Sequence, residues 1–276
     1  MRKSVALAAA GLALASVLTA CGSGSGSGKG GGKDGTLVVG ATPVPAGEVL
    51  AYIKDNLAQK AGLKLEIKEF TDYVLPNTAL QEGSLDANLY QNRPFLDEFN
   101  KSKGTDLVSV VDAYLPPMGV YSKKIQDIAK LGDGVTVAVP NETTNEGRAL
   151  KLLAAKGLIT LKKGAGTDAS PADVTANPKH LKFKELDPAQ LPRSLDDVDA
   201  AVINNNYAQD AGLSPTKDAI LLESAEGNPY ANLLAVKRGN EDDPRVEKLA
   251  KLLVSPDVKK FIAQKYKGSV LPAASG

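Results

Sequence analysis

Nucleophilic and metal chemistry have little to work with in this chain. It holds one histidine, His180, and one cysteine, Cys21. His180 follows Asn177-Pro178-Lys179 and reads as a solvated turn residue. With the one histidine read as solvated and no spare thiol, Ser-His-Asp and Cys-His arrangements are set aside, and with no second histidine His- or Cys-rich metal sets are excluded. Asp196-Asp197 and Asp242-Asp243 are neighbours in turn-like segments, so they read as solvated turns and a helix start and not as an acid–base pair. A GxGxxG match at Gly26, Gly28 and Gly31 has neither a strand before it nor a helix after it, and no cofactor is expected. What remains is the chemistry of recognition, with no enzyme activity indicated.

Three polar clusters suit that chemistry. In Pro140-Asn141-Glu142-Thr143-Thr144-Asn145-Glu146-Gly147-Arg148, a strand gives way to a helix, with Thr143 and Glu146 at capping-box spacing. Backbone donors at such a helix start favour an anion, and Arg148 offers a fork that matches a carboxylate. An ordinary helix start with a surface arginine would look the same. A second cluster, Asn204-Asn205-Asn206, closes an apolar strand, where ligands bind in open α/β sheets. A third, Asn228-Pro229-Tyr230-Ala231-Asn232, precedes another apolar run. By spacing alone, each fits a turn as well as a site. Tyr73 and Phe95 sit beside polar loop residues and are expected either in the core or as walls of an apolar pocket with a polar mouth.

The elements that would position these residues alternate. Apolar runs predict strands at 37–40, 63–67, 107–111, 135–139, 181–183, 200–203, 219–222 and 233–236. Helical periodicity predicts helices from about 50 to 57, at 94–103, 144–156, 170–176 and 244–253, and a last one at 256–266. Such alternation implies an α/β fold with mostly parallel sheet and helices on both faces.

Residues 1–20 have the build of a secretory leader, with Arg2 and Lys3 ahead of an apolar stretch that ends in Leu18-Thr19-Ala20-Cys21. That ending looks like a lipobox, in which Cys21 is lipidated and becomes the mature N-terminus. The stretch falls short of the ~20 residues a bilayer-spanning helix needs. Residues 21–35, nearly all Gly, Ser and Lys, form a tether that cannot bury apolar surface. Net charge is +1 for the whole chain and −1 once Arg2 and Lys3 leave with the leader. So balanced a chain carries no field for nucleic acid, and membrane association falls to the lipid on Cys21.

In order along the chain, a further set of segments resembles the NlpA-type methionine-binding lipoproteins, the substrate-binding components of methionine ABC importers. They are Phe70-Thr71-Asp72-Tyr73-Val74-Leu75-Pro76-Asn77, Asp86-Ala87-Asn88 with Gln91 and Pro94, Tyr121-Ser122-Lys123-Lys124, Thr144 to Arg148, Asn177-Pro178-Lys179, Leu191-Pro192-Arg193-Ser194-Leu195, Ala201-Val202-Ile203-Asn204 and Tyr230-Ala231-Asn232. The resemblance implies a two-lobed periplasmic-binding-protein fold with the ligand in the cleft. Lobe one would comprise residues 36–120 plus 230–276, and lobe two 121–229. It also implies that Arg148 pairs with a ligand carboxylate and that Asn204 and Asn232 hold its polar end, with Asn145 and Asn206 nearby. Tyr73, Asn92 and Phe95 would line the side-chain pocket. The implied partners are a permease and its ATPase, and the implied ligand is methionine. Where the family commonly carries a histidine and a tyrosine, this chain has Asn92 and Phe95, so another amino acid or a Met-containing dipeptide stays open as ligand. A surface lipoprotein serving adhesion or sensing stays open as an alternative role.

Overall fold

The computed structural model describes residues 35–273. Cys21 and nearly all of the tether therefore lie outside the described residues. In chain order the first elements are β1 (Leu37–Ala41), α1 (Glu48–Ile53), β2 (Leu65–Glu69), α2 (Leu75–Glu82), β3 (Ala87–Asn92), α3 (Arg93–Lys103), β4 (Leu107–Leu115) and β5 (Gly119–Tyr121). Next come β6 (Thr136–Pro140), α4 (Thr143–Ala155), β7 (Thr160–Leu161), β8 (Val174–Ala176), β9 (Lys182–Leu186), β10 (Ala200–Ile203) and α5 (Asn205–Asp210). The chain ends with α6 (Pro215–Asp218), β11 (Ala219–Leu222), β12 (Asn232–Lys237), α7 (Pro244–Leu253), α8 (Pro256–Tyr266) and β13 (Leu271–Pro272).

Two main sheets result. The first runs β13-β4-β12-β3-β1-β2 and the second β11-β5-β10-β6-β9. Both are mixed and not mostly parallel: β12 lies antiparallel between β3 and β4, and β5 lies antiparallel between β10 and β11. The cause is topological. The chain crosses between sheets after β4 and returns before β12, so strands enter each sheet without a βαβ crossover. β5 straddles the expected lobe boundary at 120/121 and pairs entirely within the second sheet.

The apolar runs are apolar because both sheet faces are covered. On β1, Leu37, Val39 and Ala41 face a core shared with Leu50 and Ile53 of α1, Leu249 of α7 and Ile262 of α8. Val38, pointing the other way as the strand period of two requires, meets Leu80 of α2 and Leu96 and Phe99 of α3. β10 repeats the device: Ala200 and Val202 pack with Leu150 and Leu153 of α4, while Ala201 and Ile203 pack with Leu191 and Tyr207.

Several expected elements shift or fail. The strand read at 63–67 forms at Leu65–Glu69. Segment 170–176 is not a helix: Pro171–Asp173 make one 3-10 turn capped by Ser170, and β8 follows, paired with β7. It lacks the wide apolar stripe that would hold a helix to the core. β3 escapes a hydropathy reading because Asn88, Gln91 and Asn92 interrupt it, yet all six of its residues are buried. A closed amide set makes that possible. Asn77 Nδ2 donates to Gln91 Oε1 at 2.8 Å, and Asn77 Oδ1 accepts from Gln91 Nε2 at 2.7 Å and Asn88 Nδ2 at 2.8 Å.

Candidate functional site

The predicted recognition residues sit at element ends that face one another between the sheets. Asn92 ends β3 and caps α3, its Oδ1 accepting from Phe95 N at 3.1 Å. Asn145 and Arg148 lie in the first turns of α4, Asn204 and Asn206 at the start of α5, and Asn232 at the start of β12. Tyr73 precedes α2, whose first backbone donors, Val74 N and Leu75 N, are taken by Asp72 Oδ1. One pocket is lined by all eight expected ligand residues, with Pro45, Tyr90, Gln91, Pro116 and Asn205 added.

The cleft is closed by hydrogen bonds from both sides. Tyr73 Oη donates to Asn206 Oδ1 at 2.5 Å, and Tyr207 Oη donates to the Thr71 carbonyl at 3.1 Å. Burial pushes the Tyr73 and Tyr90 hydroxyls well above the usual range, so both stay protonated donors. The rings of Tyr73, Tyr90 and Phe95 stand 5.8–6.0 Å apart and form an aromatic wall.

The opposite wall is polar and partly unspent. The capping box expected between Thr143 and Glu146 does not form. The cap is Glu142, whose carboxylate accepts from Thr144 N at 2.9 Å and Asn145 N at 3.0 Å. Glu142 Oε2 also takes Asn145 Nδ2 at 2.5 Å, and Asn145 Oδ1 accepts from Asn204 Nδ2 at 2.8 Å. Asn204 Oδ1 is then buried without a partner, and so is Asn206 Nδ2. An unpaired buried polar group costs about 1–3 kcal/mol, and this pocket holds one free acceptor and one free donor. Asn232 commits Nδ2 to the Tyr90 carbonyl at 2.8 Å and to Tyr114 Oη at 3.3 Å, which leaves Oδ1 as its open acceptor.

Arg148 departs from the sequence expectation. Its Nε and Nη2 form a two-point pair with Glu223 at 2.9 and 2.5 Å, and Nη2 also reaches the Pro116 carbonyl at 3.1 Å. The guanidinium lies 4.3 Å from the centroid of the Tyr230 ring. One edge of the fork is therefore spent inside the protein, and Nη1 is the arm left over. Burial works to raise the Glu223 carboxyl, but the Arg148 charge, the Arg148 bonds and the Met118 N–H outweigh it and hold it below the usual range. Gly147 lets the backbone of Thr167 and Ala169 pack directly on α4. A Cβ there would stand 2.3 Å from the Thr167 carbonyl oxygen.

The sequence places Glu142 and Tyr230 in candidate clusters without their roles, as helix cap and as the ring against Arg148, and does not single out Glu223. For Glu223 the only available signal was the need of a buried arginine for a counter-ion, which names no position. His180 is, as read, an exposed turn residue, with φ 47 and Nδ1 2.7 Å from Asp133. Among the described residues, no cluster of three or more His, Cys, Asp or Glu could hold a metal.

Two α/β units closing on a pocket lined from both sides define a two-lobed periplasmic-binding-protein fold. The solved structures agree. The ABC transporter periplasmic substrate-binding protein of Coxiella burnetii superposes with a TM-score of 0.82 at 42% identity, over 86% of this chain and 100% of that one. A nutrient binding protein from Burkholderia cenocepacia, solved bound to methionine, gives 0.83 at 49% identity, over 87% of this chain and 100% of that one. The chain belongs to the NlpA lipoprotein family, whose model matches residues 37–274. Among its relatives, the D-methionine-binding lipoprotein MetQ of Escherichia coli K12 is 45% identical over 78% of this chain and 80% of its own length.

Proposed function

We propose that this chain is an extracytoplasmic solute-binding lipoprotein that captures methionine and delivers it to an ABC importer. One observation carries the ligand class. The pocket offers open acceptors (Asn204 Oδ1, Asn232 Oδ1) and open donors (Arg148 Nη1, Asn206 Nδ2) opposite an aromatic wall of Tyr73, Tyr90 and Phe95. Acceptors suit an ammonium, donors suit a carboxylate, and the wall suits an unbranched thioether. That is the polarity of a zwitterionic amino acid with an apolar side chain. A neighbour that binds methionine and a relative named for D-methionine support the reading.

On this proposal lobe one is built from residues 36–120 and 230–276 and lobe two from 121–229, with the handover at β5. Closure brings Tyr73 onto Asn206 and seals the ligand from water. Capture and release need no covalent step, so the chain is not an enzyme. Cys21 carries the lipid, and residues 21–35 give the folded part reach toward the permease and its ATPase. Native mass spectrometry of gently purified protein tests the ligand. A retained species of methionine's mass is expected, displaced by added methionine. A preparation whose calorimetric titration with L- and D-methionine gives no heat and no melting shift overturns the proposal.

A further inference from the structure

We propose that Glu142, which is absent from the pocket lining, is a positioning residue that makes the site selective for a ligand amine by fixing the direction of a chain of amides. This role rests on the amino-acid reading of the pocket. A carboxylate can only accept hydrogen bonds. Glu142 Oε2 therefore holds Asn145 by its Nδ2, at 2.5 Å, and this turns Asn145 Oδ1 toward Asn204. That oxygen in turn takes Asn204 Nδ2 at 2.8 Å. The only end of Asn204 left is Oδ1, an acceptor, and it is buried without a partner.

Asn204 shows that this direction is imposed. It is the N-cap residue of α5, where an asparagine ordinarily turns Oδ1 onto the helix's first N–H groups. Here the side chain makes no capping hydrogen bond, although the backbone has the extended geometry of a cap at φ −61 and ψ 141. The charge arrangement points the same way. No acidic residue lines the pocket, and Glu223 is already matched with Arg148. Glu142 is thus the anion whose charge reaches a bound ammonium, through two amide dipoles. Replacing it with an amide gives Asn145 a donor to face, and the direction of the chain is no longer fixed.

The test measures calorimetric affinity for L-methionine and for 4-(methylthio)butanoate, its analogue without the amine, in the full-length protein. Wild type is expected to prefer methionine. In Glu142→Gln, which keeps an oxygen for the α4 cap, that preference should shrink by about tenfold, the worth of one hydrogen bond to a charged group. The double variant Glu142→Gln/Asn145→Asp moves the carboxylate one step along the chain and should restore it. If Glu142→Gln does not fold, Asn145→Ala cuts the same chain with the cap intact and should show the same loss. An unchanged preference in the cut chain, or a parallel fall of both ligands that the double variant does not reverse, overturns the role. Wild type that binds neither compound overturns the amino-acid reading itself, and the positioning role with it.

Discussion

Arg148 and Glu223 form a two-point ion pair at the edge of the pocket, with only 3% and 12% of their side chains exposed. The arginine comes from α4 and the glutamate from the residue after β11, so the pair joins segments 75 residues apart. It uses the Nε–Nη2 edge of the guanidinium and aims the remainder. On the proposed reading, a ligand carboxylate would meet an arginine already held by a counter-ion, a carbonyl and a ring.

Glu223→Gln should leave that guanidinium buried without its anion. Truncating one partner of a buried pair costs about 3–5 kcal/mol, and the loss should appear in chemical denaturation of the ligand-free protein. Because the folded Glu223 carboxyl titrates below its unfolded value, its contribution is present above the ordinary glutamate range and fades as pH falls through the folded value. The wild-type minus Glu223→Gln stability difference should therefore narrow on acidification. A difference that is flat with pH would contradict the pair's assignment.

Arg148→Ala should abolish measurable methionine binding while the chain stays folded at a stability cost, since it strands Glu223. Removing a buried charged partner of a ligand costs about 2–5 kcal/mol of affinity. Asn204→Ala and Asn232→Ala should each lose less, about 1.5–3 kcal/mol for a hydrogen bond to a charged group. Calorimetry on folded variants ranks the three.

Glu146 gives a pH effect of opposite sign. It is 8% exposed with Oε1 unpartnered, and burial, aided by Glu185 and Glu142, pushes its carboxyl up to about 7. A raised carboxyl means that the folded state holds a proton the unfolded chain has released, so stability declines as pH rises from the ordinary glutamate range to about 7. Glu146→Gln should remove this slope and gain on wild type at pH 8 relative to pH 5, as read from melting temperatures.

Asn92 has two tasks, which fixes the outcome of restoring the family pair. Asn92→His with Phe95→Tyr should favour methionine over more polar amino acids by about 0.3–1.5 kcal/mol, the scale of sulfur–aromatic contacts. It should also cost about 1 kcal/mol of stability, because Asn92 Oδ1 caps α3. A thermal-shift competition series reads both, and an unaltered ligand ranking would place the side-chain subsite elsewhere.

Cys21→Ser should release the protein from the membrane fraction without changing its affinity, because residues 22–35 offer no large apolar side chain to pack on the fold. Retention after a high-salt wash would reveal a second anchor.

What the sequence determined by itself was whatever depends on local pattern. The apolar strands 200–203 and 219–222 and the helices 244–253 and 256–266 form where their periodicity places them, because burial on a sheet face or helix stripe is written in the spacing of side chains. Polar clusters at a helix start and at strand ends marked Asn145, Arg148, Asn204, Asn206 and Asn232 as candidates with turns equally open, whereas Asn92 and the ligand roles came only from the family resemblance. Tertiary structure decided the pairings. β3 is a central strand despite three amides, since Asn77 from another element bonds Asn88 and Gln91 while Asn92 turns its oxygen onto the α3 cap. Arg148 is half spent because Glu223 arrives from the end of β11, the edge strand of the second sheet. Asn204 presents an acceptor because Asn145, itself held by Glu142, takes its other end. A hydrogen bond's direction depends on which groups meet in space, and residues 59 or 75 positions apart leave no periodic trace of that meeting in the chain.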